Sequence, residues 1–202
     1  MHNRDKIIRN GGLFVNKSNA LHLVSQFLVD GCAFIPENVE GEGDRSFVLL
    51  KNGQRHRIDE TAPWFLNRLV CFFGYDLTKL REIYARVTGR KYLLPLPLTS
   101  ELTLLPLKVR VPIGNQAASG WFVAEHIRDM RSLNHIKTEL RLNGGHEVTV
   151  LWSRESCEAM YRNAALAKAA WRKLHQVKPE QRLDNLSHLY KMSDHTEALL
   201  YL

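Results

Sequence analysis

Apolar and polar positions alternate with a period of two along much of this chain, most clearly from Glu101 to Ile127. There Leu107, Val109 and Val111 alternate with Lys108 and Arg110, which predicts a strand over 102–111 with one buried face and one wet, cationic face. Turn residues fill Gly114 to Gly120, and Trp121 to Ile127 reads as the returning strand. Upstream, Asp30-Gly31 stands between Phe27-Leu28-Val29 and Cys32-Ala33-Phe34-Ile35, a pattern that predicts a tight hairpin. Asn52-Gly53 predicts a second hairpin, between Ser46–Lys51 and Gln54–Ile58. Leu93 to Leu98 is a further strand, its prolines where an edge would tolerate them. A third hairpin joins Thr138–Leu142 to His146–Trp152 through Asn143-Gly144-Gly145, with Leu140, Leu142, Val148 and Val150 on one buried face.

Elsewhere the period lengthens to that of a helix. Thr61 as N-cap and Pro63 in the first turn open a helix that ends at Gly74. Leu77, Leu80, Ile83, Tyr84 and Val87 mark another from Asp76 to Thr88, closed by Gly89. Ser153 caps the longest helix, with Glu155 and Glu158 at its positive end and a stripe of Met160, Ala164, Ala167, Trp171 and Leu174. Pro179 opens a shorter helix with Leu183, Leu186 and Leu189, and the apolar Leu199–Leu202 suits a partner subunit. The organisation predicted is a flexible N-terminal arm (1–20), one folded domain (21–176) and a C-terminal helical segment (177–202). Its class is α+β, an antiparallel hairpin-built sheet packed against helices with a long C-terminal helix.

Charge adds a direction. Against 21 acidic residues stand 28 Lys and Arg, for a net +7, which favours a polyanionic partner. Three widely spaced cysteines, Cys32, Cys71 and Cys157, neither form a disulfide framework nor show metal-ligand spacing. No phosphate loop, zinc-binding helix motif or nucleophile elbow occurs, and the nine histidines are scattered, so a catalytic group, metal or cofactor is not expected. Nor does any run suggest a membrane span or secretory leader, which points to the cytoplasm. Trp121, Trp152 and Trp171 are assigned to the core. Lys79, Arg81, Arg86, Arg90 and Lys91 crowd one helix and its exit, as a solvated face or as an anion contact. The candidates for DNA contact are Lys108, Arg110, Arg128, Arg131, Lys137, Arg141, Arg162, Lys168 and Arg172, those of 128–137 lying on a basic connector between strands. Alanine at Lys108 and Arg110 is expected to weaken binding without lowering the melting temperature.

Three ordered runs carry a resemblance: Cys71-Phe72-Phe73-Gly74 with Arg81, Val87-Thr88 and Pro95-Leu96; Leu105-Pro106 with Gly120-Trp121 and His126-Ile127; and Asn143-Gly144 with Ser153 and Tyr161-Arg162. In order and approximate spacing, over about Ala33 to Trp171, they resemble the ComK family, the competence transcription factors of Gram-positive bacteria. Leu107-Lys108-Val109-Arg110 stands where the family has a small polar segment, and Ser119 or Ala118 where it has a cysteine. The resemblance implies a cytoplasmic, nucleoid-associated activator of DNA-uptake genes that binds A·T-rich double-stranded DNA, largely through the minor groove. It also implies a dimer or dimer of dimers under the control of an adaptor-protease system. Narrow A-tract minor grooves concentrate negative potential, to which inserted Arg or Lys is the natural response. The strand, Asn-Gly turn and Ser153-Arg154 start are also similar to LytTR-type DNA-reading domains. An adaptor that docks an acidic protein through the same cations is the alternative from another class.

Overall fold

A computed structural model describes residues 13–15, 17–39, 41, 43–112, 114 and 116–176. In chain order these form β1 (Leu13–Val15), α1 (Lys17–Asp30), β2 (Gly31–Val39), β3 (Gly43–Leu50), β4 (Arg55–Ile58), α2 (Ala62–Phe72) and α3 (Leu77–Thr88). There follow β5 (Leu96–Pro97), β6 (Thr103–Lys108), β7 (Ser119–Val123), a 3-10 turn (Ala124–His126) and β8 (Ile127–Asn134). β9 (Lys137–Leu142), β10 (Glu147–Val150) and α4 (Arg154–Gln176) complete the order. One sheet has seven strands in the order β1-β4-β3-β2-β7-β6-β5, parallel only at β1–β4; the other is the antiparallel β10-β9-β8. The fold is α+β, as the hydrophobic pattern predicts.

The seven-stranded sheet is a middle layer. On one face, Phe27 of α1, Phe65 and Leu69 of α2, and Leu80 and Tyr84 of α3 bury against Phe34, Leu50, Ile58 and Leu104. Phe27, Phe34 and Phe65 meet edge-on or tilted at 4.9–5.5 Å between ring centres. On the other face, Leu49, Leu105, Leu107 and Phe122 pack with Leu140 and Leu142 of the small sheet and Met160 and Ala164 of α4. The C-terminal half of α4 then reaches the first cluster through Ala167 and Trp171. Gly144 locks the two sheets together: at φ 79° its Cα lies so near β3 that a Cβ would stand 2.6 Å from the Leu50 carbonyl oxygen.

The β3–β4 and β9–β10 hairpins, the Thr61 cap of α2 (Trp64 N–H to Oγ1, 3.4 Å) and the Gly89 close of α3 (φ 66°) match the sequence expectations. So does the Ser153 cap of α4, which accepts the Ser156 N–H at 3.3 Å. Trp121 is buried, while Trp152 and Trp171 are half-buried against the clusters.

Five expectations are corrected. Asp30-Gly31 is no hairpin: Ala20, Leu23, Val24 and Phe27 bury at helical spacing in α1, and Gly31 is needed because a Cβ there would lie 2.2 Å from the Phe27 ring. β6 is shorter than 102–111 and has no wet face, because Leu104 fills one core cluster while Leu105 and Leu107 fill the other. The 93–98 strand shrinks to Leu96–Pro97. The returning strand stops at Val123, and His126 sits in a 3-10 turn. The basic connector over 128–137 is mostly β8, an edge strand held by backbone bonding to β9, with mostly exposed side chains. Such a strand leaves no hydrophobic alternation to read.

The predicted helix after Pro179, the apolar C-terminal run and residues 1–12 lie outside the described residues. Within the predicted arm, Leu13–Val15 pair with β4 and Lys17 already begins α1. Among the described residues no helix is long and apolar enough to cross a membrane, and no group of His, Cys, Asp and Glu could hold a metal ion.

Candidate nucleic-acid interface

The fold sorts the nine candidate cations by what already neutralises them. Arg110, beyond the end of β6, donates from Nη2 to Asp44 at 2.5 Å and from Nε to the Ala117 carbonyl at 2.7 Å, with both charged side chains mostly buried. It fastens the segment after β6 to the start of β3 and to the loop before β7. Lys108, two residues earlier, makes no ion pair among the described residues. Lys168 is likewise internal: its Nζ lies 2.8 Å from Glu125, which also accepts the Thr103 amide (3.0 Å) and hydroxyl (2.8 Å). Burial alone would raise the Glu125 carboxyl, but the hydrogen bonds from Lys168 and Thr103 outweigh it and hold the group below its usual range.

The outer face of the small sheet is balanced rather than cationic. Its register sets Asp129, Arg141 and Glu147 in one row and Arg131, Glu139 and Thr149 in the next. Arg131 pairs with Glu139 at 2.8 Å and Arg141 with Glu147 at 3.0 Å. Lys137, opposite Asn134 at the start of β9, makes no ion pair among the described residues, so Arg131, Lys137 and Arg141 there stand with Asp129, Glu139 and Glu147. Arg172 on α4 lies 3.7 Å from Glu101.

Arg128 and Arg162 are brought together. They line an open groove of about 410 Å³ between β8 and the first turns of α4, with Arg154, Met130 and Tyr161. Arg128 donates from Nε to the Asn143 side-chain carbonyl, Arg154 pairs with Glu158 at 2.8 Å, and Arg162 has no ion pair among the described residues. The carboxylate of Asp129, also on the groove, accepts the Met130 N–H at 2.8 Å. Three guanidinium groups thus stand with Glu158 and with Asp129, which is shared with the outer-face row, beside an exposed tyrosine ring. Planar guanidiniums suit phosphate oxygens, and the Tyr161 and Met130 surfaces suit the sugar between them.

Arg154 is not among the sequence candidates; it stands four residues before Glu158, its ion-pair partner in the structure. Arg68, on α2, was also missed. It and Arg81 of α3 have no acid three or four residues away, a signal that was present in the sequence.

A smaller cavity of about 320 Å³ holds Glu125, His126, Lys51 and Glu101. Glu125 is committed to Lys168 and Thr103, and His126 donates from Nδ1 to the Gly31 carbonyl at 2.8 Å. Burial lowers the His126 pKa despite that bond. Among the described residues the arrangement is a hydrogen-bond network, with Lys51 also donating to the Val29 carbonyl at 2.8 Å. Compared with protein-family models, with curated proteins and with solved structures, the chain matches none.

Proposed function

We propose that this chain is a DNA-binding transcription regulator, not an enzyme, that grips duplex phosphates with the arginines of the β8–α4 groove. The observation that carries the reading is the convergence of Arg128 of β8 with Arg154 and Arg162 of α4 on one open, aromatic-edged groove. Arg110 and Lys168 are spent on mostly buried pairs, whereas Arg162 makes no ion pair among the described residues. The ordered motifs of the ComK resemblance support the finer reading: an oligomeric activator of DNA-uptake genes that prefers A·T-rich boxes through the minor groove.

Fluorescence anisotropy with A·T-rich and G·C-rich duplexes over a salt series tests it. Tighter binding to the A·T-rich duplex is expected, with a log K against log salt slope of about −0.9 for each phosphate contact. Arg128→Ala together with Arg162→Ala should make that slope shallower by about two contacts. Absence of binding at low salt would favour an acidic protein partner instead.

A further inference from the structure

We propose that α3 is a second duplex-contact element, a helix laid in the major groove, where the motif resemblance implies mainly minor-groove contact. This rests on the DNA-binding reading but not on the groove. Its basis is the juxtaposition of α2 and α3. Four residues, Phe73 to Asp76, join them, with Gly74 in the left-handed region at φ 70°. A turn of this length also joins the two helices of helix-turn-helix units, in which the second helix is set against DNA while the first crosses the backbone.

The turn is held in place. Gly74 N–H bonds to the Cys71 carbonyl at 2.9 Å, Tyr75 N–H to the Val70 carbonyl at 3.2 Å, and the Tyr75 hydroxyl meets His175 of α4 at 3.3 Å. Leu80 and Tyr84 anchor α3 in the core, so Thr78, Arg81, Glu82 and Arg86 face solvent.

Charge points to the occupant. Between Ala62 and Leu93 stand six cations, Arg68, Lys79, Arg81, Arg86, Arg90 and Lys91, and two acids, Asp76 and Glu82. Both acids are already engaged: Asp76 accepts the Lys79 N–H at 2.8 Å as the helix cap, and Glu82 pairs with Lys79 at 3.1 Å. Arg68, Arg81, Arg86 and Lys91 form no ion pair among the described residues. Guanidiniums on an exposed helix can reach guanine N7 and O6, while Arg68 and Lys91 beside it suit the flanking phosphates.

This surface adjoins the C-terminal end of α4, whereas the groove adjoins its first turns. From Glu158 to His175 is about 25 Å at 1.5 Å per residue. Two separated contacts of this kind would lie within one turn of a duplex, about 34 Å.

The experiment compares the full chain with the pair Arg81→Ala/Arg86→Ala and with the pair Arg128→Ala/Arg162→Ala. Readouts are anisotropy over salt and dimethyl sulfate protection, which reports guanine N7 in the major groove and adenine N3 in the minor groove. Both α3 positions are exposed and without ion pairs, so the variant should keep the parent melting temperature. The expected result is at least tenfold weaker binding by the α3 variant, a salt slope shallower by about two contacts, and loss of N7 protection. An α3 variant that binds and protects like the parent, while the groove variant is impaired, overturns the inference and leaves the DNA-binding reading standing. A parent chain that binds no duplex at low salt overturns both.

Discussion

Lys168 on α4 places its Nζ 2.8 Å from Oε1 of Glu125 in the turn after β7, and each side chain is less than one-fifth exposed. The pair pins the long helix to the strand layer, since Glu125 also takes both hydrogen bonds from Thr103 of β6. Lys168→Ala would leave that carboxylate buried without its counter-charge, at a cost of about 3 kcal/mol. Urea denaturation should show the lower midpoint, with DNA affinity unchanged under conditions where the variant is folded. A normal midpoint with weakened DNA binding would instead return Lys168 to the interface.

Stability should decline with acid over two separate pH ranges. Burial lowers the His126 pKa from the ordinary 6.5, so the unfolded chain takes up this proton more readily. Stability is therefore full above about pH 6.5 and declines as pH falls below it. For Glu125, burial is outweighed by the Lys168 and Thr103 hydrogen bonds, so its folded pKa lies below 4.5. Its contribution is present above 4.5 and is lost as pH falls through the folded value. Thermal midpoints measured from pH 8 to 3 should decline along both limbs, and Glu125→Gln should flatten the lower one only.

Arg110 and Lys108, two residues apart, should respond differently to alanine. Arg110→Ala strands a mostly buried Asp44 and frees the Ala117 carbonyl, so the melting temperature should fall by several degrees. Lys108→Ala removes no ion pair among the described residues and should leave it unchanged. Calorimetry of the two single variants decides this, and equal melting temperatures would contradict the buried Arg110–Asp44 link.

The three thiols should differ in reactivity. Burial pushes Cys32 and Cys157 up to about 11, so both are protonated thiols at neutral pH, whereas Cys71 on α2 is exposed. Iodoacetamide on the native protein should add one label, located at Cys71 by peptide mass mapping, and three in urea. Native labelling of Cys32 would contradict its place between the sheet and the β9–β10 turn, where its Sγ lies 3.4 Å from the Asn143 carbonyl.

Local chemistry alone determined the α+β class, the Asn-Gly hairpins, the caps of α2, α3 and α4, and the buried stripe from Met160 to Trp171. Each of these depends on residues close in sequence, whose dihedral preferences and spacing act before any tertiary contact forms. The helix at 17–30 was legible at Ala20, Leu23, Val24 and Phe27, but the Asp30-Gly31 signal overrode it. Only the tertiary structure decided that Gly31 yields space to the Phe27 ring rather than turning the chain, and that β8 is a strand at all. Likewise, the fate of each cation was set by partners far along the chain: Asp44 for Arg110 and Glu125 for Lys168, with Arg128 and Arg162 meeting across a groove. Charge carries no period and acts through space, so a linear pattern reveals how many cations there are but not which of them remain free.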